Sequence, residues 1–393
     1  MAIDINNPLE RQKWVKDGLL SKVVKSFWLP FTGNNSSAII YQEIDARCST
    51  GHNVVFDFSG HLTGKFHKGD VTYGKGEIKR KFSSTLAVDS LKLLVFNGTK
   101  FKNCAIDDLE STQHSNSISE LGDLFIKQKD QLIFDTIQGA LGQNPSHIYN
   151  LGSNFEYNDL LYISNNASKG DNLVGSDANG IVDDTVVPVT RSPINSFKSD
   201  GTMDMHLCVI DMYMAIKLKA DPKYQTIVIN ADVRGNNNRS LSMVVGKLGN
   251  VIYVEAPAFF GSTEGKGAFN ADDTEIEFSG LRRYAKLADG TIAWEGQVEF
   301  TKAYDLWRNR VAVPTTIEIY SRGALLGASA VQIAFGMMPD YELQEADFRA
   351  SSESQLEAWL ALKKTILTVE RGIDYKGKVA DIDYGTFAID MKH

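Results

Sequence analysis

Cysteine is scarce in this chain and occurs only as Cys48, Cys104 and Cys208. The number is odd, the spacing is wide and no CxxC pair occurs, which argues against a disulfide framework or a zinc site. A reducing compartment is the expectation. Long apolar runs are missing too: no stretch reaches the roughly 18 residues that mark a membrane-spanning helix. Residues Met1 to Pro8 offer neither a positive n-region nor an apolar h-region, so no signal peptide is expected. Basic residues are in the minority, with 41 Lys and Arg against 49 Asp and Glu and a net charge of −8. That balance disfavours a protein whose main task is to coat DNA, because non-specific affinity rests on basic side chains neutralising phosphates.

Catalytic signatures are equally absent: the chain has no GxSxG, HExxH or CxxC sequence. Gly261-Ser262-Thr263-Glu264-Gly265-Lys266-Gly267 has a Gly-Lys pair without the phosphate-loop spacing. His61 and His67 fall in one predicted hairpin, but no Cys or carboxylate pair completes a metal site there. Asp171, Asp177, Asn179 and Asp183 lack EF-hand spacing and a closing Glu. Asp273, Glu275 and Glu277 alternate as on one strand face; with Asp272 they keep open a β-rich enzyme acting on polysaccharide, which needs paired carboxylates in a cleft. The reading is of a non-enzyme with no catalytic residue, no metal and no cofactor.

What is present is ordinary globular material: 393 residues, 43% hydrophobic and 23% charged, enough for a sizeable core in two or three structural units. Leu9, Trp14, Val15, Leu19, Leu20, Val23, Val24, Phe27 and Trp28 recur at helical spacing, and Pro30 and Gly33 stop the pattern. This Trp- and Phe-rich arm docks either on its own body or on a neighbour. Strands are predicted at Asn53–Phe58, Lys81–Val88 and Leu91–Phe96. Between the first two lies a glycine- and lysine-bearing stretch from His61 to Glu77, read as a long hairpin projecting from the body. Lys65, Lys68, Lys75, Lys79, Arg80 and Lys81 make it basic: either a solvated edge that discourages aggregation or a contact with an acidic neighbour. A long helix is predicted over 115–142, capped by Ser117 or Ser119 and ended by Gly142. Residues 165–200 are polar and irregular. A second helix is predicted from Met203 to Lys219. Strands are expected at Gln225–Ile229, Gly249–Val254, Thr365–Glu370 and Gly385–Met391, with a small-residue segment at Gly323–Ala330. The class is α+β, without βαβ rhythm or internal repeat.

The order of arm, hairpin, long helix and α+β body resembles phage major capsid proteins with the HK-97-like fold. Locally, the text is similar to the capsid family of N4-type podoviruses. It is carried by Gly51-His52-Asn53-Val54-Val55-Phe56 leading through Leu62-Thr63-Gly64 to Gly69-Asp70, then by Asp232-Val233-Arg234 and Gly246–Glu255. Ala324-Leu325-Leu326-Gly327-Ala328-Ser329-Ala330 and Asp383-Tyr384-Gly385-Thr386-Phe387-Ala388-Ile389-Asp390 match its closing segments. Where that family often has an acidic Glu-Gly after Gly-Asp, this chain has Gly74-Lys75-Gly76-Glu77.

The resemblance implies a structural subunit that self-assembles as hexamers and pentamers into an icosahedral head around double-stranded DNA. It implies an N-terminal arm (1–52), an extended loop (53–100), a peripheral domain (101–200 with 346–393) and an axial domain (201–345). Assembly contacts are expected at Gly64, Lys65, Lys68, Gly69, Asp70, Lys79 and Arg80 in the loop, and at Trp14, Phe27 and Trp28 in the arm. No segment of scaffold-like length precedes the arm, so a separate or proteolytically removed scaffolding protein is expected. A portal and a decoration protein are further implied partners. DNA is enclosed without sequence-specific binding, and the location is the virion, with assembly in the host cytoplasm. An encapsulin-like cellular compartment is the alternative within the same fold.

Overall fold

The computed structural model describes residues 26–44, 53–59, 81–99, 109–142, 145, 148–169, 192–195, 202–226, 244–248, 251–257, 259–260, 278–287, 289–308, 317–346, 351–368 and 381–393. After a 3-10 turn at Leu29–Phe31 come β1 (Thr32–Gly33), β2 (Ile40–Ile44), β3 (Asn53–Ser59), β4 (Lys81–Ala87) and β5 (Asp89–Thr99). The middle carries α1 (Leu109–Gln138), β6 (Ile148–Asn150), α2 (Tyr157–Lys169), β7 (Ser192–Asn195), β8 (Thr202–Ile210), α3 (Met212–Ala220), β9 (Val244–Leu248) and β10 (Val251–Glu255). Then follow β11 (Phe259–Phe260), β12 (Phe278–Ser279), β13 (Arg283–Lys286), β14 (Ile292–Trp294) and α4 (Val298–Arg308). The chain closes with β15 (Glu318–Leu326), β16 (Val331–Ala346), β17 (Ser351–Lys364), β18 (Ile366–Thr368), β19 (Asp381–Asp383) and β20 (Thr386–Lys392).

The long helix α1 forms because Leu121, Phe125, Ile126, Ile133, Phe134 and Ile137 recur three and four apart and are all buried. Its 30 residues span about 45 Å at ~1.5 Å per residue. It starts well before the expected caps, so Ser117 and Ser119 lie inside it. Serine is only mildly unfavourable within a helix, and a helix anchored in the core runs through it. Its end also falls earlier than Gly142. Gly139 takes φ +82°, the Ala140 amide donates to the Asp135 carbonyl at 2.9 Å, and the Gly139 amide reaches Thr136. That is a Schellman termination, which needs a left-handed residue just past the last turn.

A five-stranded sheet runs β1-β2-β16-β17-β5. A nine-stranded sheet is built on β14-β13-β15-β8-β10-β9, with β20 on the other side of β15, then β6, and β7 beside β8. The expected helix from Met203 is in fact β8. Every residue from Met205 to Ile210 is at most 2% exposed. A strand covered on both faces reads as a continuous apolar run, which periodicity does not separate from a buried helix. The helix starts only after Asp211, whose carboxylate accepts from the Met212 amide at 2.7 Å as an N-cap. Of the strand expected over Gln225–Ile229, Gln225 and Thr226 instead close a helical turn at 222–226, and the remainder lies outside the described residues.

The helix α1 packs against both sheets. Its apolar face belongs to one cluster with Met205, Leu207 and Val209 of β8 and Val331, Ile333 and Leu360 of β16 and β17. The opposite face of the nine-stranded sheet is covered by α2 and α3 through Leu160, Ile163, Met214 and Leu218. The small residues expected to allow close packing do so at Gly323, where an added Cβ would sit 2.8 Å from the Val209 carbonyl oxygen.

Candidate assembly surface

The loop residues singled out from the sequence, Gly64, Lys65, Lys68, Gly69, Asp70, Lys79 and Arg80, lie outside the described residues, as does Trp14. So do the Gly261–Gly267 stretch, the Asp171–Asp183 loop, Asp272, Asp273, Glu275, Glu277 and the two hairpin histidines. The root of the hairpin is described. β3 and β4 pair antiparallel from Asn53–Ala87 to Ser59–Lys81. One face of this stem, Val54, Phe56, Leu86 and the adjoining Val88, is buried against Ala334 of β16 and Ala361 of β17, with Tyr41 and Trp359 at the margin. Alternation put these apolar residues on one face, and that face seats the stem on the body.

The arm residues Phe27 and Trp28 are described, and both pack within their own subunit. The Trp28 ring centroid lies 4.9 Å from that of Phe134 in α1, and Phe27 lies 5.4 Å from it. Asp130 of α1 holds the backbone in place, accepting from Ser26 Oγ at 2.7 Å and from the Phe27 amide at 2.8 Å. Burial pushes the Asp130 carboxyl above its usual range, and these hydrogen bonds oppose that shift. Only 1% of Trp28 is exposed, so this ring anchors the arm to its own subunit. Phe27 and Trp28 themselves are not helical, and Pro30 stands in the 3-10 turn.

A buried polar junction went unread in the sequence. Arg322 of β15 makes a two-pronged ion pair with Asp390 of β20, at 2.6 and 2.8 Å, with 2% of either side chain exposed. Tyr284 donates to the same carboxylate at 2.7 Å. Arg322 also donates to the Gln138 carbonyl at the end of α1, and the Gln138 side chain donates to the carbonyls of Arg282 and Arg322. Burial works against the Arg322 charge, but Asp390 outweighs it and holds the guanidinium pKa above its usual value. The helix end is thereby fastened to the nine-stranded sheet. The available signal was a lone Arg and a lone Asp inside otherwise apolar strands, since buried charges are paired. Lys364 and Asp383 form a second buried pair at 2.7 Å.

The five-stranded sheet ends on an outward-facing strand. β5 pairs with β17 along one side and is the last strand in the order. Leu94, in its middle, is 64% exposed. Among the described residues no strand pairs with the other side of β5, and an open edge of eleven residues is a template for another chain. Among the described residues no three His, Cys, Asp or Glu gather to hold a metal ion, and no helix is long and apolar enough to cross a membrane.

No family model and no curated protein matches the sequence. Solved structures do match. The capsid of Helicobacter pylori bacteriophage KHP30 superposes with a TM-score of 0.65 at 14% identity, covering 94% of this chain and 91% of that one. The chain has the HK-97-like capsid fold. The capsid of Ralstonia phage GP4 agrees at TM-score 0.59 and 17% identity, over 93% and 90% of the two chains. The cyanophage Pam1 capsid agrees at 0.55 and 12%, over 94% and 92%. In this capsid fold, the described part brings the hairpin stem, the end of the arm and the free edge of β5 together on one sheet-and-helix unit.

Proposed function

We propose that the chain is the major capsid protein of a bacteriophage, assembling as hexamers and pentamers into the icosahedral head that encloses double-stranded DNA. One observation carries the reading: the capsid fold extends over more than nine-tenths of this chain and at least nine-tenths of each of the three capsid chains described above. The free β5 edge and the rooted hairpin fit it, since both are features that a neighbour covers. A net charge of −8 suits a shell lining that releases DNA instead of holding it.

Within this reading we place the chain among the N4-type podovirus capsids, on the segments quoted above. The five-stranded sheet with α1 is the peripheral domain, and the nine-stranded sheet with α2 to α4 is the axial domain. This division is drawn along the sheets because a boundary at residue 345 separates β16 from β17, its hydrogen-bonded partner. Assembly takes place in the host cytoplasm with a scaffolding protein and a portal, and a decoration protein is a further candidate partner. The chain acts as a building block and not as an enzyme.

The test is size-exclusion chromatography beside negative-stain microscopy of the purified protein. Closed polyhedral shells, or rings of five and six subunits, are expected. A monodisperse, compact monomer at high concentration, with or without scaffolding protein, would overturn the reading.

A further inference from the structure

β20 runs antiparallel to β15 as far as Lys392, opposite Tyr320. The Lys392 amide donates to the Gly152 carbonyl at 2.7 Å, and the His393 amide to the Ile319 carbonyl at 2.9 Å. The His393 ring lies against Tyr213 of α3 and Trp307 of α4, with centroids 5.1 and 6.4 Å away. Its Nε2 is 2.7 Å from Ser321 Oγ, which is in turn 2.7 Å from the carboxylate of Asp211, the N-cap of α3. A hydroxyl has one proton to give, and an ionised carboxylate only accepts. Ser321 therefore donates to Asp211 and accepts from His393, so the neutral ring carries its proton on Nε2. A second proton has to enter at Nδ1.

Charges reach the ring from several elements. α3 brings Lys217 and, through Ser321, Asp211; β13 brings Arg283; the turn after β14 brings Glu295. From β15, Glu318 is paired with Lys392. α4 presents Trp307, with Tyr304 stacked on it, and tyrosines such as this one and Tyr213 carry no charge in acid. The two nearer carboxylates are committed. Glu295 accepts from the Arg283 Nε and amide, and Asp211 from Ser321 and the Met212 amide. An imidazolium would thus meet Arg283 and Lys217 beside the first turn of α3, where the helix dipole also disfavours a cation. Burial, then Arg283 and Lys217, lower the ring's pKa from 6.5 to about 4 against the pull of Glu295.

We propose that the end of β20 is an acid-operated latch: the neutral His393 ring holds it on α3 and α4, and protonation of that ring releases it. The latch belongs to the subunit itself and does not rest on the shell reading. A seated ring resists the proton, whereas a released ring takes it at the ordinary 6.5. Falling pH therefore favours release, beginning below about 6.5 and increasing down to about 4. Release withdraws the imidazole from Ser321 and uncovers the α3 cap and Trp307. The rest of β20, buried from Thr386 to Met391, stays in the sheet.

The test is hydrogen exchange on the full chain, read by mass spectrometry at the histidine ring carbon and at backbone amides. The His393 ring should titrate well below 6.5. Corrected for intrinsic rates, protection of the Met212, Lys392 and His393 amides should fall about tenfold or more from about pH 7 to about pH 4, while Ala388 keeps its protection. His393→Gln retains a donor for Ser321 but cannot take a proton, and should show no such fall. Asp211 titrates in both chains, so its share is read from this variant. Ser321→Ala removes the anchor of the ring. It should raise the His393 midpoint toward 6.5 and lower protection of the Lys392 and His393 amides already at neutral pH. A His393 midpoint near 6.5 in the wild type, protection that does not change with pH, an equal fall in His393→Gln, or no response to Ser321→Ala would each overturn the proposal.

Discussion

Arg322 and Asp390 meet at 2.6 Å in the nine-stranded sheet with 2% of each exposed, whereas Lys92 and Glu357 meet at 3.5 Å on the five-stranded sheet with 51% and 18% exposed. The first pair is enclosed by Tyr284, Trp294 and the end of α1. The second lies at the surface, where water screens it and such pairs are worth ~0–1 kcal/mol. Polar groups inside this subunit therefore fix one arrangement of helix and sheet. Polar groups on the outer face contribute little to that arrangement and remain available to a neighbour.

The sharpest way to break the comparison is Arg322→Met. It leaves the Asp390 carboxylate buried without its cation, and removing one partner of such a pair costs about 3–5 kcal/mol. Lys92→Ala should cost less than about 1 kcal/mol by the same denaturant titration. Equal losses would mean that the buried junction is not what holds α1 to the sheet. Glycines sharpen the contrast one step lower. Gly385, in the turn before β20, has φ +75°, and an added Cβ would sit 2.8 Å from the Ala328 carbonyl oxygen. Gly290, in the β13–β14 turn, has φ +84° but nothing within 4 Å of that position. Gly385→Ala should cost about 1–3 kcal/mol, since strain and overlap add. Gly290→Ala bears the backbone strain alone and should cost about 1 kcal/mol.

The same division explains what was legible beforehand. Asn53–Phe58 was legible because Val54 and Phe56 alternate onto a buried face, even though Val55 between them is exposed, and β3 falls there with one residue added. Helix α1 was visible through its buried stripe, but its start was not, because local serine caps lost to tertiary packing. Met203–Ile210 was misread because both faces are covered, which erases the period that tells strand from helix. Trp28 shows the complementary failure. An aromatic near a chain end looks the same whether it meets a neighbour or its own core, and Asp130, more than a hundred residues away, decides the matter. The Arg322 junction joins α1, β13, β15 and β20, a convergence that no local window contains.

A smaller effect belongs to His393. Its Nε2 lies 2.7 Å from Ser321 Oγ, which donates to Asp211, and Tyr213 and Trp307 flank the ring. Burial, then the charges of Arg283 and Lys217, lower its pKa from 6.5 to about 4, and Glu295 opposes the shift. The unfolded chain therefore takes the proton first as pH falls. The contribution is fully present above about pH 6.5 and is lost progressively down to about pH 4. With solvent screening of a partly exposed ring, the loss should be about 1 kcal/mol. His393→Gln should flatten the stability profile across that window while leaving its acid end unchanged. A profile that keeps its full slope would assign the acid sensitivity to other groups.

The smallest effect on the subunit is expected at Leu94, and it separates the two sheets most cleanly. The side chain is 64% exposed on a strand with one free edge, so it contributes almost nothing to the monomer. Leu94→Thr keeps a side chain that suits a strand, and surface changes of this kind stay within about 0.5 kcal/mol. The unfolding midpoint should not move. Shell assembly, followed by light scattering, should slow several-fold if the β5 edge is covered in the lattice, because an apolar contact is lost while the charges remain. If assembly is unaffected, the edge of β5 plays no part in holding a neighbour.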